Sequence, residues 1–156
     1  MGIETKTDLN EQTVEKIQDL TRINIDAEKG FREAAESIDN VAVAETFREL
    51  ATQRAANAEE LRQYCNCNGE EAVCEGSFSA KFHRVWMDLR SKLNGGDTHV
   101  VLCEAERGED HIKAAYEDAL KETAGSAMND VLTRQYAGVK AGHDRVRDMR
   151  DAHAEK

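Results

Sequence analysis

The sequence contains no proline, few aromatic residues and no long apolar run. Because proline breaks helix interiors, a chain without it is compatible with long, uninterrupted helices. Aromatic residues make up 5% of the chain, and no segment alternates apolar and polar residues as a half-buried strand does. No window approaches the roughly 18 apolar residues that a membrane-spanning helix needs, so we expect no membrane partner.

Basic residues are in the minority, with 21 Lys and Arg against 31 Asp and Glu, which gives a formal net charge of −10. Nucleic-acid binding depends on clustered basic side chains that release phosphate counterions. The sequence shows no such stripe, so we expect no nucleic-acid partner. Residues 1–6 also lack the apolar stretch of a signal peptide. We therefore expect an acidic protein of the cytoplasm.

Apolar residues recur at spacings of three and four along four long segments, as in the helices of a bundle. Asp8 followed by Glu11 indicates a capping box at the first helix, and Asn40 and Asp97 are suitable caps for the second and third. The pattern predicts a single all-α domain over residues 1–156. Its long helices should span about residues 8–38, 41–64, 98–123 and 128–153, with a shorter helix over about 79–93.

The connections between these helices predict the topology. Short links join the first two helices and the last two, so each pair should form an antiparallel hairpin. The shorter helix between the hairpins would be about 22 Å long, enough to carry the chain back along most of the bundle. The second and third long helices should therefore run parallel, in a four-helix bundle with one long, helix-containing crossover.

Polar residues interrupt the apolar stripe near the midpoint of the long helices. Polar groups inside a bundle core must satisfy one another or bind a ligand. We therefore predict a buried polar centre. Its expected members are Asn24, Arg54, Asn57, Glu109, Tyr116 and Gln135.

Several segments resemble the ferritin-like superfamily. The second helix resembles that of rubrerythrin-type proteins through Phe47 to Ala51, Asn57-Ala58 and Leu61, and the third through Gly108-Glu109 and Tyr116. Over roughly residues 9–151 the chain resembles more closely a family of small bacterial four-helix-bundle proteins of unknown function. The segments that carry this likeness are Gly30-Phe31, His83 to Arg90, Gly108 to Asp110 and His143-Asp144. The resemblance implies the ferritin-like fold.

The resemblance also implies where a di-iron site would lie. Its ligands are a glutamate from each of the first and third helices and a Glu-x-x-His motif from each of the others. This chain has no Glu-x-x-His motif. The matching positions hold Asn24, Arg54, Asn57, Glu109 and either Val139 with Gly142 or Gln135 with Gly138. Because arginine stays protonated, we predict a metal-free centre, without a cofactor, in which Arg54 pairs with Glu109.

A divergent metal site that handles iron is the alternative interpretation. It would use the carboxylates and histidines of the third and fourth helices, although a solvated acidic face and a surface His143–Asp144 pair explain the same residues without a metal. The residues of this alternative are Glu106, Glu109, Asp110, His111 and His143.

The cysteines offer a weaker alternative. Cys65, Cys67 and Cys74 fall in a predicted loop and, with His83, could hold zinc. Their spacing matches no recognised zinc motif, so we expect reduced thiols. Cys103 is expected to be a small buried side chain of the third helix.

The crossover helix has an apolar face, which should either pack on the bundle or form a dimer contact. That face consists of Phe82, Trp86 and Leu89.

Glycines within helices indicate close helix approach or room for a large side chain such as Arg54. These glycines are Gly30, Gly108, Gly138 and Gly142.

No nucleophile and base are paired in the sequence, so we expect no enzymatic activity. The expected function is that of a non-enzymatic binding or assembly protein, with a homo-oligomer as one option and a protein or small ligand of unspecified identity as partner. The resemblance alone suggests a stress-related role.

Overall fold

The computed structural model describes residues 4–69, 80–93 and 97–154, which form five α-helices and no named strand. This architecture confirms the predicted all-α class. The helices begin and end close to the predicted bounds. They are α1 (Glu11–Ser37), α2 (Val41–Cys67), α3 (Ala80–Ser91), α4 (Thr98–Glu122) and α5 (Asn129–His153).

The start of α1 differs from the prediction. Asn10, not Asp8, caps the helix, because its side-chain oxygen accepts a hydrogen bond from the Thr13 amide at 2.9 Å. Asp8 instead exchanges two backbone hydrogen bonds with Thr5. Asn40 and Asp97 cap α2 and α4 as predicted.

The end of α2 lies further along the chain than predicted. The helix continues past Tyr64 to Cys67, so Cys65 is a buried helical residue and not part of a loop. Asn68 explains the extension, since its side-chain amide donates to the carbonyls of Tyr64 and Lys6. This contact ties the segment before α1 to the end of α2.

Side-chain pairs between helices fix the helix directions. The paired residues are Lys16–Glu122 and Asn24–Tyr116 between α1 and α4, Glu60–Arg134 and Glu49–Arg145 between α2 and α5, and Asn24–Asn57 and Phe31–Phe47 between α1 and α2. In each set the residue numbers rise on one helix as they fall on the other, so all three pairs of helices are antiparallel. It follows that α2 and α4 run parallel, with α3 in the segment that connects them.

The crossover helix α3 packs on the bundle through Trp86 and Leu89, which are 2% and 0% exposed. The Trp86 ring meets Phe31 edge-on, with 5.3 Å between ring centroids. It also lies against Gly30 of α1 and Gly108 of α4, where an added Cβ would collide with the indole. These two glycines therefore provide the predicted close approach. The side chain of Phe82 lies outside the described residues.

None of the described helices combines the length and the apolar character that crossing a bilayer requires.

Candidate functional site

Arg54 of α2 and Glu109 of α4 meet inside the bundle. Both side chains are 0% exposed, and Arg54 Nη2 donates to Glu109 Oε2 at 2.6 Å. Arg54 Nε and Nη1 and Glu109 Oε1 have no hydrogen-bond partner among the described residues. One contact thus holds two buried charges. Such a pair contributes little net stability, but removal of either partner strands the other.

Gly142 of α5 provides the space for this pair. A Cβ at this position would lie 2.8 Å from Leu50 Cδ2, 2.9 Å from Arg54 Nη2 and 3.0 Å from Glu109 Oε2. Any side chain larger than hydrogen would therefore push against the ion pair. Gly138, one turn earlier, is exposed and has nothing within 4 Å of an added Cβ, so its predicted role in close packing is wrong.

The buried position has an electrostatic consequence for Glu109. Burial raises the pKa of its carboxyl, and the neighbouring Arg54 guanidinium acts in the opposite direction, with a weaker contribution from His143. The positive charge of Arg54 is therefore what favours ionised Glu109 at this depth.

A hydrogen-bond network of neutral side chains, here called the neutral network, lies one turn further along α2 and ends at the half-buried carboxylate of Glu60. Tyr116 Oη donates to Gln135 Oε1 at 2.7 Å and accepts from Asn24 Nδ2 at 2.9 Å. Gln135 Nε2 donates to Glu60 Oε1 at 2.7 Å, and Asn57 makes a longer contact to Asn24 at 3.4 Å. Burial raises the pKa of the Tyr116 hydroxyl, which keeps it neutral.

Glu60 was not among the residues predicted from the sequence. It follows Asn57 by three residues and so lies on a neighbouring face of α2. That spacing is the signal that would have identified it as the outer end of the network.

The residues at the bundle centre do not fit a di-iron group. A di-iron site needs four carboxylates and two imidazoles, and the carboxylates balance the charge of two ferrous ions. The positions implied by the resemblance supply one carboxylate, Glu109, and that carboxylate is bound to a guanidinium that stays protonated. Asn24 is a hydrogen-bonded amide, and Gly142 has no side chain.

The residues of the alternative metal site converge only in part. Glu106 and Asp110 of α4 and His143 of α5 each place one ligand atom within 4.8 Å of the others. Glu109 is committed to Arg54, and His111 is not part of this group. The convergence defines a carboxylate–histidine cluster consisting of Glu106, Asp110 and His143.

His143 contacts Asp144, as in the predicted pair, but the histidine is not at the surface, because it is only 7% exposed. Its position between the buried residues Val139 and Val146 places it at the edge of the α5 stripe that faces α4. Its Nε2 lies 2.6 Å from Asp110 Oδ1, and its Nδ1 lies 3.1 Å from Asp144 Oδ1. The histidine thus bridges two carboxylates.

The structure does not assemble the proposed cysteine site among the described residues. Cys65 is buried in α2, Cys67 is exposed at the end of that helix, and Cys74 lies outside the described residues. His83 is an exposed residue of α3.

Cys103 is exposed, so the prediction that it is buried is wrong. It follows the buried stripe residue Leu102 and points away from the core, with its Sγ 3.8 Å from His99 Nε2. Burial of part of the side chain raises the pKa of the Cys103 thiol. An activated nucleophilic cysteine requires the opposite shift.

One protein-family model matches the chain, over residues 12–122, and describes a domain of unknown function, DUF2383. The matched region begins in α1 and ends with α4. It includes Arg54 and Glu109, whereas Gly142 and His143 of α5 lie beyond it. No curated protein matches the chain.

Proposed function

The chain belongs to the DUF2383 family of domains of unknown function, and we propose that it acts as a non-enzymatic binding or assembly protein. In this proposal residues 1–156 form one ferritin-like domain in which a buried ion pair takes the place of a di-iron centre. The resemblance further suggests a bacterial and stress-related setting, and the acidic composition suggests the cytoplasm.

The ferritin-like assignment is supported by the direction of the helices. A four-helix bundle with one long crossover has its second and third long helices parallel. The contacts Lys16–Glu122 and Asn24–Tyr116 make α1 antiparallel to α4. The contacts Asn24–Asn57 and Phe31–Phe47 make α1 antiparallel to α2, so α2 and α4 run parallel. A plain up-down-up-down bundle would make these two helices antiparallel.

The single observation that carries the proposal is the Arg54–Glu109 contact of 2.6 Å between two fully buried side chains. A guanidinium cannot ligate a metal, and its charge repels a cation from the same cavity. Gly142 shapes that cavity for the ion pair. The centre is therefore adapted to hold a protein cation.

The non-enzymatic part of the proposal is supported by the chemistry of the described side chains. Among the described cysteines, Cys103 has a histidine, His99, as a possible base. Their contact is a long one at the surface, and the pKa of the thiol is raised and not lowered. This arrangement lacks the activation that covalent catalysis needs.

Ferrous titration with measurement of oxygen uptake tests the proposal. We expect wild-type protein, purified without chelator, to consume no oxygen in proportion to added ferrous ion. The Glu109→Gln variant, checked for folding by circular dichroism, should behave in the same way. Oxidation of two ferrous ions per chain in the wild type, lost in Glu109→Gln, would overturn the proposal.

A further inference from the structure

The face between α4 and α5 carries side chains that neither the ion pair nor the neutral network uses. We propose that Glu106, Asp110 and His143 form a mononuclear binding site for a divalent transition-metal ion. This site goes beyond the proposed function, because it lies outside the bundle centre and requires no change in the Arg54–Glu109 pair.

The backbone places the three ligand atoms in a suitable arrangement. Glu106 and Asp110 are one turn apart on α4 and share a face, and antiparallel α5 brings His143 against them. Within residues 4–69, 80–93 and 97–154, this is the one group of three metal-binding side chains whose ligand atoms lie within 4.8 Å of one another. Two carboxylates and one imidazole suit ions of the zinc, cobalt and manganese type.

The two ends of the His143 ring provide an independent indication of a cation. Nδ1 faces Asp144 at 3.1 Å, and Nε2 faces Asp110 at 2.6 Å. A neutral imidazole has only one N–H. One of its nitrogens would therefore direct a lone pair at a carboxylate unless a second proton or a metal ion lies between them.

The role of Asp144 follows from the same geometry. A metal-binding histidine commonly donates its second ring N–H to a carboxylate, which fixes the tautomer and the ring orientation. With Asp144 on Nδ1, the lone pair of Nε2 is directed towards Glu106 and Asp110. Asp144 is thus a positioning residue for the imidazole.

Small movements complete the site. Ligand atoms around a tetrahedral ion of this type are about 3.3 Å apart, so Asp110 must move away from Nε2, which it now approaches to 2.6 Å. The Asp110 side chain is 56% exposed and has room to adjust, whereas the His143 side chain is 9% exposed and stays in place. The histidine is therefore the fixed ligand of the three.

Arg150 competes with the metal ion for one ligand. Its Nη1 lies 2.5 Å from Glu106 Oε2, and its Nη2 lies 2.8 Å from Asp151 Oδ1. An incoming ion must displace the guanidinium from Glu106, while Asp151 can still hold it nearby. Removal of Arg150 should therefore strengthen metal binding.

Titration of the full chain with cobalt(II) tests this proposal. Cobalt is a suitable probe because its visible absorption reports the coordination geometry, and thiolate charge-transfer bands would reveal binding by cysteine. We expect one ion per chain without thiolate bands. Asp110→Asn should weaken binding by about tenfold or more, and Arg150→Gln should tighten it severalfold.

Asp118→Asn provides the matched control. Asp118 is also an exposed carboxylate of α4, with its nearest cation, Lys16, at 3.9 Å, so this substitution changes the net charge by the same amount as Asp110→Asn. Its affinity for cobalt should equal that of the wild type. Equal weakening by both substitutions, thiolate bands, or the absence of saturable binding would each overturn the proposal. Because the ferrous test depends on Glu109 and this test on Asp110, the two proposals can fail separately.

Discussion

The Arg54–Glu109 pair and the network around Tyr116 are two polar layers of the same core, one turn apart on α2. Both are buried apart from the half-buried Asn57, and they meet the cost of burial differently. In the charged layer one contact of 2.6 Å serves two ions, and three polar atoms have no hydrogen-bond partner among the described residues. In the neutral layer Tyr116 both donates and accepts, and Gln135 does the same.

The two layers show that the shape of the cavity and the matching of hydrogen-bond donors with acceptors contribute separately to the stability of the bundle centre. The charged layer depends on space, because Gly142 leaves just enough room for the two side chains. The neutral layer depends on matching donors with acceptors around Tyr116. Substitutions in each layer should therefore fail for different reasons.

Removal of the negative charge from the charged layer should have the largest effect. We expect Glu109→Gln to lower the free energy of unfolding by about 3–5 kcal/mol, because the Arg54 guanidinium would remain buried without a counterion. Urea denaturation measures the loss. Glu45→Gln, at an exposed position of α2, should change stability by less than about 0.5 kcal/mol. Equal losses in the two variants would mean that the ion pair does not matter to the fold.

Filling the space in the charged layer should have the next largest effect. Alanine is favoured over glycine in a helix by about 1 kcal/mol, yet we expect Gly142→Ala to cost a net ~1–3 kcal/mol through overpacking against Arg54 and Leu50. Gly138→Ala, on the same helix, should instead stabilise the protein by about 0.5–1 kcal/mol. Thermal and urea unfolding of both variants tests this difference in sign. A stabilising Gly142→Ala substitution would show that the cavity is looser than the structure indicates.

Removal of one hydroxyl from the neutral layer should cost less. Tyr116→Phe leaves Gln135 Oε1 without its donor and takes one acceptor from Asn24, so we expect a loss of about 1–2 kcal/mol. Tyr136→Phe is the control, since that hydroxyl donates to Glu117 at the surface and its removal should cost less than ~0.5 kcal/mol. If urea denaturation gives the same loss of stability for both variants, the buried Tyr116 hydroxyl contributes no more to the free energy of unfolding than a surface hydrogen bond does.

The response of Glu60 to pH is the smallest effect that we predict. For Glu60, burial raises the pKa, but hydrogen bonds from Arg134 and Gln135 outweigh it, so the pKa lies below the ordinary 4.5.

It follows that the advantage of the wild type over Glu60→Gln is fully present above pH 4.5 and is lost as the pH falls through the folded-state pKa. Urea denaturation of the two proteins between about pH 3 and pH 7 measures this trend. A constant difference between the two proteins across this range would contradict the lowered pKa of Glu60.

The sequence predicted which residues are buried better than it predicted which residues they contact. Helical periodicity places Asn24, Arg54 and Glu109 on buried faces, because the spacing of apolar residues fixes which side of a helix is turned inward. Periodicity does not fix how far a helix is rotated against one particular neighbour. His143 and Cys103 both lie at the edge of a stripe, and for both residues the predicted burial is wrong.

Helix ends show a second limit. Asp8 and Asn10 are both suitable caps, and the sequence alone does not decide between them. The backbone pairing of Asp8 with Thr5 decides it in favour of Asn10. The end of α2 likewise depends on Asn68, whose contact with Lys6 is distant in sequence. The convergence of Glu106, Asp110 and His143 also depends on tertiary contacts, here the register between α4 and α5.

Trp86 is the one tryptophan of the chain, and its indole packs between Gly30 and Gly108. Its fluorescence therefore reports on the packing of the crossover helix. An indole enclosed by α1, α3 and α4 should emit at shorter wavelength than one in water, and detachment of α3 would shift that emission to the red. Fluorescence therefore monitors the crossover, whereas far-ultraviolet ellipticity monitors all five helices. A red shift at lower urea than the loss of ellipticity would identify the crossover helix as the first element to separate.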